Sequence, residues 1–249
     1  MRHLVFSLLI LPLLHVCTGA SAYAQSPSTK KVLDEMVLAL GGQPFLDVDD
    51  IHSSGRFFQF RRGQLTGADF FQDYIKFPDM ERTEFGREKS RTITINRGNQ
   101  AWKKEPKDKE FQQQSAGDVQ EFLAAFKTSF DYVVRFVLNQ NQTTMQSLGT
   151  EMIDFNRTDV VELRDATKNR IRLYVERNSH LPVKMQVRRS NDNILREETY
   201  ANWHMFQGIM TPLFVTQFKD AEKTTEIRVE TASYNTGLAD SLFSPPATK

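Results

Sequence analysis

Cysteine is almost missing: the 249-residue sequence holds one, Cys17. A single thiol makes neither an intramolecular disulfide nor a thiolate metal site. Histidine is thin as well. Beyond the first twenty residues only His52, His180 and His204 occur, far apart in sequence, and no His-Glu-x-x-His pair is present to bind zinc. There is no phosphate-cradling Gly-x-x-x-x-Gly-Lys and no Gly-x-Ser-x-Gly elbow. An excess of either charge is lacking, with 32 Lys+Arg against 31 Asp+Glu. That balance argues against nucleic acid as a partner and gives no basic drive toward anionic lipid. Asp47, Asp49 and Asp50 lack the glycine and closing glutamate of a calcium loop, so they read as loop residues. Glu197 and Glu198 are adjacent on a strand and point to opposite faces, so they cannot act as one acid/base pair. Nothing prepares a nucleophile. The expectation is a protein without catalytic residues, metal or cofactor.

The first twenty-four residues are informative about location. Arg2 and His3 precede an apolar run, Leu4 to Val16, and Ala22-Tyr23-Ala24 forms a small-x-small site. This is the layout of a secretory signal peptide cut after Ala24. The run is shorter than the ~20 apolar residues that span a bilayer, which disfavours an uncleaved anchor. Lipid attachment at Cys17 is a further alternative, against which the bulky Val16 stands. Residues 25–249 then read as one exported domain, and a domain of this size can stand on its core without disulfides.

Aromatic content is lopsided, with 19 Phe against 2 Trp and 6 Tyr. Ser28 and Thr29 open a short helix carrying Val32, Leu33, Met36, Val37 and Leu40 at helical spacing, and Gly41-Gly42 ends it. From Ile51 the period becomes two. Strands are expected at 51–61, 68–77, 81–85 and 92–96, with a turn before Ala101-Trp102. Lys103 to Gln114 reads as a solvated loop. A long amphipathic helix is expected from about Ala116 to Leu138, with Asp118 as N-cap and Glu121 three residues on. Strands resume at 145–153, 158–164, 170–176, 183–189, 194–203, 211–218 and 225–234, the rhythm of a meandering antiparallel sheet or barrel.

The order of these features carries a family resemblance. A capped helix ends in Gly41-Gly42, and Gly98-Asn99-Gln100-Ala101-Trp102 follows. Arg172-Leu173-Tyr174-Val175 leads to Leu181-Pro182-Val183-Lys184. Then come Tyr200-Ala201-Asn202-Trp203 and Gly208-Ile209-Met210-Thr211-Pro212. The close is Tyr234-Asn235-Thr236-Gly237-Leu238-Ala239-Asp240-Ser241-Leu242-Phe243. Over roughly residues 28–246 the chain resembles the outer-membrane lipoprotein-sorting (LolA-like) proteins of Gram-negative bacteria. The resemblance implies a mainly β (α+β) fold: a curved antiparallel sheet forming an unclosed barrel of about eleven strands, with an N-terminal helix and a central lid helix. It implies a periplasmic carrier for a lipid, acyl chain or lipoprotein cargo that meets a membrane-bound donor or acceptor.

A carrier needs an apolar hollow, since burying a lipid chain gains about 0.8 kcal/mol per methylene. The strand candidates for its lining are Phe58 and Phe60 on one face, Phe71 with Ile75, and Leu173, Met185, Trp203, Phe214 and Phe218. Phe122, Phe126 and Phe130 are the candidates for the lid. The chain reads as a monomer. Two other occupations stay open: a protein-interaction or envelope-stress sensing module on the same scaffold, and a hydrolase of unfamiliar design.

Overall fold

The computed structural model describes residues 28–246. The signal-peptide reading and Cys17 lie outside them. Helix α1 (Thr29–Leu40) starts where Ser28 Oγ accepts from the Lys31 N–H at 3.3 Å. It buries Val32, Leu33, Met36 and Leu40, the stripe that its spacing dictates. Gly41 ends it at φ +130°, where a Cβ would stand 2.7 Å from the Gly208 carbonyl oxygen, so only glycine lets the chain turn against that hairpin. A one-turn helix, α2 (Gln43–Leu46), then plants Phe45 in the core.

Thirteen strands follow in two groups. The first is β1 (Asp50–Arg61), β2 (Gln64–Lys76), β3 (Met80–Phe85), β4 (Thr92–Arg97), β5 (Gln100–Lys104) and β6 (Gln112–Gln113). The second is β7 (Thr144–Ile153), β8 (Asn156–Arg164), β9 (Arg170–Glu176), β10 (Pro182–Arg188), β11 (Leu195–Phe206), β12 (Ile209–Lys219) and β13 (Glu222–Tyr234). They form one sheet in the order β6-β5-β4-β3-β2-β1-β13-β12-β11-β10-β9-β8-β7. Each group is an antiparallel meander, and β1 joins them by pairing with β13, Ile51 opposite Tyr234. At the bulge beside that seam Gly55 lies so close to the partner strand that a Cβ would sit 2.0 Å from the Arg228 carbonyl oxygen. The segment expected as a solvated loop contains β6, which pairs Trp102 with Gln113. It was hard to see because an edge strand can be short and wholly polar.

Chain order explains the cover. β6 is one edge of the sheet and β7 the other, yet they are consecutive strands. The segment between them must cross from edge to edge, and it does so as helix. The helix is broken, where a continuous one to Leu138 was expected. Helix α3 (Ala116–Lys127) stops at Thr128, whose hydroxyl donates back to the Ala124 and Ala125 carbonyls at 2.7 and 3.2 Å. Ser129 then caps a second helix, α4 (Phe130–Tyr132), which runs into a π-helical turn over Val133–Val137. The N-cap of α3 is Ser115. Asp118 is instead the N3 member of a capping box, its carboxylate accepting from the Ser115 N–H at 3.2 Å.

The core is unevenly placed. Val133, Val134 and Val137 from the π turn, the α1 stripe, and Val161, Leu163, Ile171, Leu173, Val175, Met185 and Val187 from β8–β10 pack into one cluster. Ile51, Tyr200, Ile209, Ala232 and Tyr234 extend this cluster along β1 and β11–β13, and open space remains beside it on the concave face.

Candidate ligand cavity

Alternation decides which residues of each strand look inward. On β2 these are Phe71, Asp73 and Ile75; on β1 they are Ile51, Ser53 and Phe57, held in register by pairs such as Ser53–Asp73. With Glu81 and Phe85 of β3, Met210 and Val215 of β12, and Ile227 and Val229 of β13, they surround a hollow of about 390 Å³ roofed by Phe130 and Asp131. A second hollow of about 550 Å³ lies under α3, between Phe122 and Phe126 above and Met185, Val187 and Phe218 below. The two share Ile75, Glu81, Ser129, Asp131, Glu198 and Gln217, so they meet at a polar waist. Both volumes fall in the range typical of small-molecule sites.

The sequence-predicted lining divides. Phe71, Ile75 and Phe130 border the smaller hollow, and Phe122, Phe126, Met185 and Phe218 border the larger. Phe58 and Phe60 do share a face, but it is the convex one, because Phe57 takes the inward parity. Arg56 and Arg228 stack on Phe58 at 5.9 and 4.9 Å, and Lys223 on Phe60 at 4.1 Å. Phe214 is outward for the same reason and carries Arg228 at 5.8 Å. These rings sit outside because cations cover them. Leu173 is solid core. Trp203 packs against the core, outside both hollows. The residues that sequence reasoning missed are the inward partners of those outward rings, Phe57 and Val215, and the carboxylates.

Those carboxylates define the waist. Asp73 and Glu81 are diagonal neighbours on one face, since Asp73 pairs with Thr83 and Ile75 with Glu81. Protein encloses both, and the surface they retain faces the cavity. Burial pushes Asp73 well above the usual carboxylate range, and the charges of Glu81 and Asp131 add to it. Burial pushes Glu81 up to about 7. Glu198 stands opposite, raised by burial but steadied by the Tyr200 hydroxyl at 2.7 Å and the Gln217 amide at 2.9 Å. Tyr200 itself is raised well above its ordinary value by burial and by Glu198. Asp131 alone has a cation: the Arg135 side chain, fully buried, donates to its carboxylate. Arg135 Nε also donates to the Phe45 carbonyl at 3.0 Å, and its guanidinium lies 4.0 Å over the Phe45 ring. Among the described residues no group of three His, Cys, Asp or Glu side chains is placed to hold a metal ion.

An unclosed antiparallel sheet with helices crossing its concave side is a fold that this chain shares with solved structures. Solved structures of that kind superpose over most of the chain. A LolA superfamily protein from Nitrosomonas europaea aligns with TM-score 0.58 at 13% identity, over 87% of this chain and 97% of its own. An outer membrane lipoprotein-sorting protein domain from Vibrio parahaemolyticus aligns with TM-score 0.54 at 12% identity, over 86% and 94%. A DUF1329 family protein from Desulfovibrio piger aligns with TM-score 0.60 at 16% identity, over 87% and 97%. At these identities the likeness establishes the fold, as the sequence resemblance implied. A family model described as "Uncharacterized protein" matches residues 129–247. No curated protein matches the sequence.

Proposed function

We infer that this protein is a periplasmic carrier that holds the hydrocarbon part of a lipid, acylated protein or free acyl chain on the concave face of its sheet, without catalysis. The observation that carries the reading is the pair of joined hollows under the helical crossing. The β8–β9 part of the same face is packed solid, so the hollow is local, with phenylalanine and aliphatic side chains on either side of its polar waist. The fold shared with lipoprotein-sorting proteins supports it, as does the signal-like start. Phe122 and Phe126 serve as cover: their rings lie 5.3 Å apart, and Phe126 also meets Phe77 at 5.9 Å.

Native mass spectrometry after mild extraction tests this. Adducts of lipid mass are expected on the wild-type protein and absent from Phe126→Asp, while far-ultraviolet circular dichroism keeps the sheet signal. A wild-type protein with no adduct that also fails to take up any added amphiphile would refute the carrier reading and favour an interaction module.

A further inference from the structure

Three carboxylates in the cavity have no cation facing them. Asp73, Glu81 and Glu198 make no ion pair among the described residues, although eighteen ion-pair contacts occur across the rest of the protein. Asp73 Oδ1 is buried without a hydrogen-bond partner, the Tyr74 N–H being the one donor to this carboxylate, while other atoms of Asp73 line the hollow. Such an acceptor is expensive to bury empty-handed. The elements packed around the waist offer no relief. On the helical side Arg135 bonds Asp131 and the Phe45 carbonyl, and its third nitrogen, Nη2, is buried without reaching any of the three carboxylates. On the strand side Tyr200 already serves Glu198, and Tyr234 is bonded to Thr211 at 2.5 Å. Arg189, Arg196 and Lys219 also line the larger hollow, but Arg189 and Arg196 pair with Glu121 and Asp192, and Lys219 is exposed and makes no ion pair with the three. Hydrocarbon surfaces flank this spot on both sides, Phe57, Phe71 and Phe85 in one hollow and Phe122, Phe126 and Phe218 in the other.

Resting on the carrier reading, we propose that the waist is a headgroup site and that the cargo is a cationic amphiphile: an alkyl chain or chains ending in an ammonium group, which Asp73, Glu81 and Glu198 receive. An ammonium has three donors and a positive charge, and it satisfies the acceptors that the protein leaves open. A free fatty acid brings a further anion to groups that already resist ionising, so it is disfavoured there. A metal ion is a poorer occupant, because it needs several ligands at coordination distance at once and these residues form no such set, whereas an ammonium needs only charge and hydrogen-bond contact with those it can reach.

The test compares dodecylammonium, dodecanoate and dodecanol, each below its micelle concentration, with the delipidated protein by isothermal titration calorimetry at pH 7.5. Dodecylammonium should bind at least about 10-fold tighter than dodecanoate, as expected for a desolvated charge-assisted contact against a like-charge clash. The double variant Asp73→Asn, Glu81→Gln should lose that preference while keeping or improving its affinity for dodecanol. A second measurement needs no variant. The alkylammonium keeps its proton, as a lysine near 10.4 does, so seating it ionises the carboxyl groups and releases protons. The binding heat should therefore change with the ionisation enthalpy of the buffer, whereas that of dodecanol should not. Equal affinities for all three chains, or a preference for dodecanoate or dodecanol, would overturn the headgroup assignment and leave the carrier reading standing. Failure of all three to bind would overturn both.

Discussion

Replacing Glu81 by glutamine should stabilise the ligand-free protein above neutral pH. Glu81 carries its proton to about 7 in the folded state, against an ordinary value of 4.5. Each pH unit of that displacement is worth about 1.4 kcal/mol, so the ionised carboxylate costs ~3 kcal/mol of folding free energy. The sign follows from the direction. The folded form binds the proton more tightly than the unfolded form, so this contribution to stability is fully present below 4.5. It is lost as pH rises through 7. Glutamine keeps a neutral, hydrogen-bonding end at every pH. Wild type and Glu81→Gln should therefore melt together near pH 4.5 and diverge toward pH 8, where a ~3 kcal/mol gap amounts to roughly 6–12 °C for a chain of this size. Asp73→Asn in the same background should add less than it does alone, because the Glu81 charge is part of what raises Asp73. Thermal melts followed by circular dichroism from pH 4.5 to 8.5 provide the measurement. Parallel melting curves across that range would mean that Glu81 reaches solvent freely, and the closed waist would be wrong.

The other predictions concern how the site is held. Asp50→Ala should cost ~3 kcal/mol in urea denaturation, because its carboxylate accepts from the Thr236 N–H and hydroxyl and from the Gly237 and Leu238 N–H groups at 2.8–3.1 Å. Burial alone would raise Asp50, but those donors outweigh it and hold it below 3.8, so this stabilisation is present above that value and fades as pH falls through the lowered one. Arg135→Met should cost ~1–3 kcal/mol by the same assay, since it leaves the Phe45 carbonyl without its donor and the part-exposed Asp131 without its cation. Gly55→Ala should lower stability by ~1–3 kcal/mol through the clash with the Arg228 carbonyl, and amide exchange should speed up along the β1–β13 seam first.

The meander was legible because alternation and turn residues are local. The expected strands at 158–164 and 170–176 match β8 and β9 to within two residues. What local pattern does not carry is parity relative to a distant surface. Phe57, Phe58 and Phe60 look alike in sequence. Only the pairing of β1 with β13, across most of the chain, puts Phe57 inside and sets Arg228 over Phe58. The helix break was invisible for a related reason: Thr128 and Ser129 are tolerable helix residues, and their hydroxyls end one helix and start another only when the chain must turn over the sheet. The carboxylate waist did leave a trace. Phe71-x-Asp73-x-Ile75 places a charge at the middle of an inward-facing apolar series, and an ionisable residue at such a position is either an error of register or a functional group.

The two halves of the helical crossing are held very differently, and that bears on how a cargo enters. The α4–π segment buries Phe130, Val133, Val134, Arg135 and Val137, and Arg135 ties it to α2 and to its own first turn. It is part of the core. Helix α3 buries only Val119 and Phe126 of its twelve residues. Its ion pair to the sheet, Glu121 with Arg189, leaves the glutamate mostly in solvent, where such a contact contributes at most about 1 kcal/mol. Lifting α3 therefore exposes little more than the Phe122–Phe126 pair, whereas lifting α4 would break the fold. Thr128 and Ser129, at the joint between them, already abandon helical bonding and can absorb the rotation. In the carrier reading, the chain enters beneath α3, its head stops at Glu81 and Glu198 beneath a fixed α4, and the packed β8–β9 strands supply the rigid wall beside which the hollow stays open.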